Sequence, residues 1–346
     1  MSDFVQTLIT ALAIGSLYAL IALGYTMVYG ILKFINFAHS DIVVLGAWSS
    51  YTLAIRILPW LMLDPHNPET VPPIWLAAVV MLAAMVFCGV VGFAIERLAY
   101  RRLRRAPRLN VLITAIGVSL LLQNVGQLDL PLDRVWGLRH LASFLHVPIG
   151  HLHLGFGATP QKMPALLPSW ELASITFGEG ESARRVVLGL IDVVIFSLAT
   201  TLMLMMQYLV FHTKLGVAMR AVSYNTDTAA LMGIPVDRVV SFTFVLGSVL
   251  AAAAGFLYVT KYPSMNQPAH AVWVLLGLKA FVAAVIGGIG NVRGAVLGGF
   301  VIAFVEQFGA FYISSNYRDV YVFALLILIL LVKPSGLLGS PVREKV

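Results

Sequence analysis

The chain has 346 residues, of which 59% are hydrophobic and 11% are charged. A soluble globular protein averages about 45–50% apolar and about 25% charged residues, so this chain has too few polar side chains to cover a water-facing body. The composition therefore excludes a soluble protein and indicates several membrane spans. It also excludes a disulfide-rich secreted domain, because the single cysteine, Cys88, lies inside an apolar run and is expected to be buried.

The net charge of +7 is concentrated at a few places in the chain. Six of the 23 basic residues are arginines within residues 97–108, between two apolar stretches. A basic cluster between spans is typical of a cytoplasmic loop of a membrane protein. We therefore expect a chain that is embedded in the lipid bilayer and has no nucleic-acid partner.

Nine apolar stretches are candidates for membrane spans, since a helix needs about 20 mostly apolar residues to cross a bilayer. They are residues 4–30, 41–63, 74–98, 109–128, 186–211, 238–260, 271–288, 294–312 and 319–333. Gly287, Gly288 and Gly290 interrupt the seventh and eighth stretches and could mark a broken helix. The sequence therefore predicts an all-α, polytopic membrane protein with eight or nine spans, and nine are preferred.

The distribution of Lys and Arg indicates the orientation of the spans. With the amino terminus outside and nine spans, the arginine cluster, residues 212–237, the turn at Arg293 and the carboxyl terminus all face the cytoplasm. Segments 64–73 and 313–317, which contain no Lys or Arg, then face outward. Because the amino terminus carries Asp3 and no basic residue, it does not resemble a signal peptide, and we expect the first helix to be retained.

One long connection, residues 129–185, lies on the outer side in this topology, and no second domain is expected within residues 1–346. Its four histidines are His140, His146, His151 and His153. Their spacing is not completed by Asp, Glu or Cys at ligand distances, which favours a solvated amphipathic loop over a metal site. We therefore expect neither a metal nor another cofactor.

No catalytic or nucleotide-binding motif is present in the sequence, which lacks a P-loop, a Gly-x-Ser-x-Gly elbow and a His-Glu-x-x-His pair. The chain is therefore predicted not to be an enzyme, and any energy for transport comes from an ion gradient or from a partner. Ionisable residues inside spans are candidates for a solute path because burying them in lipid is costly. Glu306 is the deepest candidate, with a structural hydrogen bond to a neighbouring helix as the alternative. Asp41 and Asp192 fall near helix ends, where an interfacial position is expected.

A second candidate for the solute path is the segment Ile35–Asp41, which places Asn36 and His39 close to the glycine-containing end of the first span. Polar residues beside glycines suit a discontinuous helix that lines a path. The alternative is a simple turn capped by Asn36 or Ser40.

Two further patterns concern packing and docking. Gly290, Gly294 and Gly298 recur every four residues and predict a tight helix–helix seam, within the chain or with a second membrane subunit. Residues 212–237 contain short amphipathic helical pieces, the second of which begins with a cap at Asn225 and ends at Gly233. A short helix with exposed small residues fits a groove on a soluble partner.

The sequence resembles the LivH-type permeases of branched-chain amino acid ABC importers over nearly its whole length. The matching blocks, in order, are Gly15–Gly30, Ile35–Asp41, Ala115–Asn124, Gly216–Asp237, Gly277–Gly290 and Lys333–Gly339. The resemblance implies an inner-membrane permease with no nucleotide site of its own. Its implied partners are two cytoplasmic ATP-binding subunits, a second, LivM-like permease subunit and an external solute-binding protein. The implied ATPase-coupling residues are Arg220, Asn225, Ala229, Ala230 and Gly233.

The chain departs from the family pattern at two places. Ser40 stands where the family usually has glycine, and residues 125–155 look like extra length in the outer connection. Related permeases handle urea and short amides, so the resemblance does not transfer the identity of the solute. The rival readings are a self-sufficient, ion-coupled carrier that uses Glu306 and Asp41, and a non-transporting scaffold, which would not require spans interrupted by glycine and polar residues.

Overall fold

The computed structural model describes residues 2–64, 72–104, 106–131, 153–177 and 184–339, and this part of the chain is mostly helical. The helices are α1 (Ser2–Leu32), α2 (His39–Trp60), α3 (Ile74–Ile95), α4 (Arg108–Gln127), α5 (Leu190–His212), α6 (Lys214–Tyr224), α7 (Thr226–Leu231), α8 (Val236–Lys261), α9 (Ala271–Gly287), α10 (Val292–Tyr312) and α11 (Arg318–Val332). Each of the nine apolar stretches coincides with one of the longer helices, which confirms the prediction of a polytopic, mostly helical protein.

Eight helices in the described part are long and apolar enough to cross a membrane. The remaining long element, α9, has 17 residues and ends at Gly287. Gly288 follows it with a φ of 104°, a backbone conformation that residues with a side chain rarely adopt. The backbone N–H groups of Leu337 and Leu338 donate to the carbonyls of Ile286 and Gly287, at 2.7 and 3.0 Å. The carboxyl-terminal segment therefore covers the end of α9.

Helices α1 and α8 form the centre of the bundle. In their most apolar windows 72% and 78% of the residues are buried, compared with 17% for α4 and 6% for the window that contains α11. The side chains of Ala251 and Ala254 on α8 are fully buried. A Cβ on Gly255 would overlap the carbonyl oxygen of Val43, so α8 and α2 touch through their backbones. Small residues allow this close approach between membrane helices.

The glycine seam lies between α9 and α10, and it differs from the predicted one at its first position. Gly290 has a φ of 92° and precedes α10, because the Asn291 side chain caps this helix by accepting hydrogen bonds from the N–H groups of Arg293 and Gly294. The predicted four-residue repeat therefore runs across a helix boundary, and Gly290 does not share the helix face. Within α10, a Cβ on Gly294 would overlap Gly287, and one on Gly298 would overlap Ala283.

The outer connection contains short antiparallel strands, which the sequence did not predict. Strand β1 (Leu130–Pro131) pairs with β2 (His153–Leu154), β3 (Gln161–Lys162) with β6 (Ser264–Met265), and β4 (Glu171–Phe177) with β5 (Arg184–Gly189). Met163 and Leu166 are buried in the core, so residues 161–167 are not a solvated loop. Because β5 runs to Gly189, α5 begins at Leu190 rather than at the predicted residue 186.

Candidate functional site

The 212–237 segment consists of α6 and α7, and side-chain caps determine where both helices start. The Thr213 hydroxyl accepts a hydrogen bond from the N–H of Gly216, and the Asn225 carboxamide accepts one from the N–H of Thr228 at 2.9 Å. Gly233 follows α7 with a φ of 80°, the left-handed conformation that commonly ends a helix. The predicted cap at Asn225 and the predicted stop at Gly233 agree with these positions.

The segment is fastened to the transmembrane helices. The Ser223 hydroxyl donates to the carbonyl of Gly30 at the end of α1, at 2.6 Å. The guanidinium of Arg220 lies 5.4 Å from the ring centroid of Phe211 in α5, and that of Arg293 in α10 lies 5.3 Å from it. Arg220 thus contacts another helix of the same chain, and a movement of α6 would be transmitted to α1 and α5.

The exposed surface of α7 differs from the sequence expectation. Ala229 is 4% exposed and packs against the chain, so this residue is not available to a partner, because the helix turns its Ala229 side inward. Ala230 and Gly233 are exposed. Beside them, Leu231 and Met232 are 87% and 79% exposed, and sequence reasoning did not select them. Two large apolar residues directly before a glycine stop were the signal that could have identified them.

A polar cluster connects the 212–237 segment to the end of α3, which continues through a π-helical turn, Glu96–Tyr100. Asp237, in the first turn of α8, forms ion pairs with Arg101 and Arg104. Arg104 also pairs with Glu96, which is fully buried and accepts a hydrogen bond from the Ser241 hydroxyl. Glu96 was not among the residues selected from the sequence, although it lies within the apolar stretch 74–98.

Asn36 and His39 are buried between helices and do not line the cavity described next. The Asn36 Oδ1 accepts a hydrogen bond of 2.6 Å from the Tyr100 hydroxyl, while its Nδ2 has no partner among the described residues. The His39 Nε2–H donates to the carbonyl of Ile21 at 3.2 Å, and the ring lies edge-on to Tyr25. Both side chains therefore act as contacts between α2 and its neighbours in this conformation.

Asp41 is also buried, contrary to the expected interfacial position, and its Oδ1 accepts a hydrogen bond of 2.8 Å from the Gln123 carboxamide of α4. Asp192, by contrast, pairs with Lys261 at the start of α5, and both side chains are partly exposed. Gln123 lies eighty-two residues along the chain from Asp41, so local sequence could not reveal this burial.

Glu306 lies at a cavity of about 360 Å³ between α1, α8, α9, α10 and the start of α11. Its Oε1 is 2.9 Å from the Lys279 Nζ, and its Oε2 accepts a hydrogen bond of 2.7 Å from the Tyr18 hydroxyl. Lys279 forms a second ion pair of 2.7 Å with Asp319. Glu306 therefore both hydrogen-bonds to neighbouring helices and lines a cavity. Burying this pair is tolerable because each charge has a partner.

The rim of this cavity carries Arg318, Asp319 and Tyr262. Burial raises the pKa of Tyr262, just beyond α8, to about 12, so its hydroxyl is protonated at neutral pH and can donate a hydrogen bond. The wall includes the apolar side chains of Leu17 and Leu276. A concave site with apolar walls and a few convergent polar groups is the usual form of a small-molecule site.

The structure describes one of the four histidines that were weighed as metal ligands in the outer connection. His153 lies in β2, whereas His140, His146 and His151 fall outside the described residues. Within residues 2–64, 72–104, 106–131, 153–177 and 184–339 there is no group of three or more His, Cys, Asp or Glu side chains suited to a metal ion.

Comparison with known proteins shows the family of the chain. A family model described as branched-chain amino acid transport system / permease component matches residues 7–330. The chain is 37% identical over 343 residues to the high-affinity branched-chain amino acid transport system permease protein BraD of Pseudomonas aeruginosa, covering 99% of this chain and 98% of that protein. It is 36% identical over 349 residues to the corresponding permease protein LivH of Escherichia coli K12, with the same coverage.

A solved structure, PsaBC from Streptococcus pneumoniae in complex with Fab, aligns over 97% of this chain and 93% of that one, with a TM-score of 0.43 and 12% identity. The family rests instead on the full-length sequence matches and on the eight membrane-crossing helices of the described residues. The chain belongs to the permease components of branched-chain amino acid transport systems and is a multi-pass inner-membrane permease.

Proposed function

We propose that this permease is one transmembrane half of an ABC importer that brings a branched-chain or related amino acid into the cell, with urea or short amides as alternative solutes. BraD and LivH are permease proteins of high-affinity branched-chain amino acid transport systems, and the similarity covers 99% of this chain. Two cytoplasmic subunits supply ATP hydrolysis, because this sequence has no P-loop. Nucleotide binding biases the pore between outward-facing and inward-facing states.

The exposed apolar surface of α7 carries this proposal. Leu231 and Met232 project from a short helix whose start is capped and whose neighbour α6 is fastened to α1 and α5. Exposed apolar patches on an otherwise water-facing segment are typical of protein interfaces. An ATP-binding subunit that holds Leu231, Met232 and the adjacent Ala230 and Gly233 would act on α8 through the short connection that joins α7 to Val236.

In this proposal the whole chain, residues 1–346, is one transmembrane domain, with its amino terminus outside and its carboxyl terminus in the cytoplasm. In this orientation the β4–β5 hairpin lies on the outer side and exposes Trp170, Leu172 and Ile175, which suits docking of a solute-binding protein. Helices α4 and α11 bury little within the chain, which leaves them for lipid and for a second, LivM-like permease subunit.

The docking proposal is tested by Leu231→Asp and Met232→Asp in proteoliposomes that hold the permease with its accompanying subunits. A carboxylate in a desolvated interface is costly, so we expect loss of ATP-driven amino acid uptake and loss of the ATP-binding subunits on purification. The matched control is Val217→Asp, which places the same charge on an exposed position of α6. Undiminished uptake by both α7 variants would overturn the docking surface.

The rival function, an ion-coupled carrier that uses Glu306 and Asp41, is distinguished by the energy source. Glu306 is held by Lys279 and Tyr18, whereas Asp41 has one carboxylate oxygen on Gln123 and the other without a partner among the described residues. The measurement is uptake by the purified chain alone, under a proton gradient and without ATP. Robust uptake under these conditions would favour the carrier.

A further inference from the structure

The cavity at Glu306 combines a fixed charged floor with a charged rim. At the floor, Glu306 and Lys279 are both buried and pair with each other, and the second oxygen of Glu306 is occupied by the Tyr18 hydroxyl. At the rim, the Asp319 side chain is 49% exposed and uses one carboxylate oxygen for Lys279. Arg318, the residue before it, is exposed and also lines the cavity.

The four charges of the cavity cancel in sum but remain separated in space. Lys279 and Arg318 are cations, and Glu306 and Asp319 are anions. A lone cation or a lone anion in such a cavity would meet a charge of its own sign as well as the opposite one. A solute that carries both an ammonium and a carboxylate satisfies both rim charges, and an analogue that lacks either group leaves a polar residue unpaired.

The apolar wall completes the match to one solute class. Leu17 and Leu276 are almost fully buried and form part of the cavity lining between α1 and α9. The volume of about 360 Å³ lies at the lower end of the range of about 300–1,000 Å³ for small-molecule sites. An aliphatic side chain of a few carbons can pack against this wall.

We infer that this cavity binds the α-amino acid zwitterion inside the permease, with the ammonium on Asp319, the carboxylate on Arg318 and an aliphatic side chain against Leu17 and Leu276. The Glu306–Lys279 pair positions Asp319 and does not itself exchange partners. The inference rests on the proposed function, because it takes the transported solute to be an amino acid. It adds a solute site within this chain, separate from any site on a solute-binding protein.

The test is binding of tritiated L-leucine to the full-length permease in nanodiscs, purified with its accompanying subunits and without the solute-binding protein. Competitors are 4-methylpentanoate, which lacks the ammonium, and isopentylamine, which lacks the carboxylate. We expect each to compete about 10-fold to 100-fold less well than leucine, since each loses one charge-assisted contact. Failure of leucine to bind, or competition by either analogue as strong as that of unlabelled leucine, would overturn the site.

Two rim variants separate recognition from mere destabilisation. Asp319→Asn should weaken leucine binding about 10-fold or more and leave that of 4-methylpentanoate unchanged, whereas Arg318→Gln should spare isopentylamine instead. The matched control is Asp192→Asn, which removes a carboxylate from an ion pair with Lys261 outside the cavity. A uniform loss for all probes, or an equal loss in the control, would show a structural role only and overturn the inference.

The outcomes for this site and for the proposed function are distinguishable. If ATP drives uptake but the rim variants bind leucine and both analogues as the wild type does, the cavity assignment is wrong and the importer function stands. If the wild type and the rim variants show the expected preferences among leucine and its analogues but uptake does not depend on ATP, the cavity is an amino acid site and the importer function is wrong.

Discussion

Ser40 stands at a position where we expect glycine from the resemblance to LivH-type sequences, and the facing residue explains how the chain accommodates a side chain there. Its side chain lies against Gly277 of α9, where a Cβ on the glycine would overlap the Ser40 Cβ. The Ser40 hydroxyl donates to the carbonyl of Phe37 at 3.0 Å, within the turn before α2. The absence of a side chain at Gly277 therefore makes the room that Ser40 needs.

Gly277→Ala should destabilise the permease by about 1–3 kcal/mol, the usual cost of overpacking a core. Ser40→Gly in the same chain should restore part of this loss because it removes the overlapping Cβ, whereas Ser40→Ala should not, because it keeps that atom. The measurement is thermal unfolding of the purified protein in detergent for the single and double variants. Equal rescue by both substitutions would contradict the steric account.

The roles of single residues were predictable from the sequence where neighbouring residues determine them. They were missed where contacts with a distant segment of the chain determine them. Asn225 and Gly233 follow local capping and turn rules, and both lie where these rules place them. Glu306 was selected for its depth, but its partner Lys279 was passed over because the pairing joins residues on separate helices. Ala229 was expected to be exposed, and only the packing of α7 on α8 shows that it is buried.

At the scale of elements, the end of α3 and the start of α8 form a junction built on charges of very different exposure. Glu96 is fully buried and bonded to Arg104 and Ser241, whereas Asp237 is half-exposed and pairs with Arg101 and Arg104. A π-helical turn in an otherwise α-helical rod commonly marks a functional site. Here it also places Tyr100 against Asn36, and so links α8 to the turn before α2.

Glu96→Ala should destabilise the protein by about 3–5 kcal/mol, because it leaves the Arg104 guanidinium in a largely buried position with one partner fewer. Asp237→Asn is the matched control, since its ion pairs lie near the surface and contribute about 0–1 kcal/mol. Chemical unfolding in mixed micelles gives both values. A loss at Asp237 as large as that at Glu96 would mean that the junction depends on the exposed pairs instead.

The existence of each long helix follows from hydropathy alone, whereas the elements of the outer connection do not. Strand β3 pairs with β6, about one hundred residues away, and two-residue strands carry no periodic signal. The prediction that Gly290 shares a helix face with Gly294 and Gly298 was wrong for a related reason. Gly290 belongs to the turn that the Asn291 cap imposes, so a spacing of four residues did not mean a common helix face.

At the scale of the whole molecule, burial is distributed unevenly among the helices of the bundle. Helices α1 and α8 are surrounded by other helices, and α4 and α11 are exposed along most of their length. Such an uneven distribution is expected of a chain that forms half of a larger pore. The proposed outward position of the α10–α11 turn and the proposed cytoplasmic position of the end of α6 are testable with one experiment.

In a Cys88→Ser background, a cysteine at Asn316 should react with a membrane-impermeant maleimide on spheroplasts, and a cysteine at Tyr224 only after the membrane is opened. Both positions are exposed in the structure. The wild-type chain is the control, because its single cysteine is buried and should stay unlabelled on both sides. Labelling with the two sides exchanged would invert the topology.

The short length of α9 has a consequence for the carboxyl-terminal segment. At a rise of about 1.5 Å per residue, 17 residues span about 26 Å, less than the roughly 30 Å of a bilayer core. Backbone that leaves a helix at membrane depth must find protein partners, and Leu337 and Leu338 supply them for Ile286 and Gly287. The carboxyl-terminal segment thus completes the end of α9, and a chain shortened or fused at Val332 would leave the carbonyls of Ile286 and Gly287 without these partners.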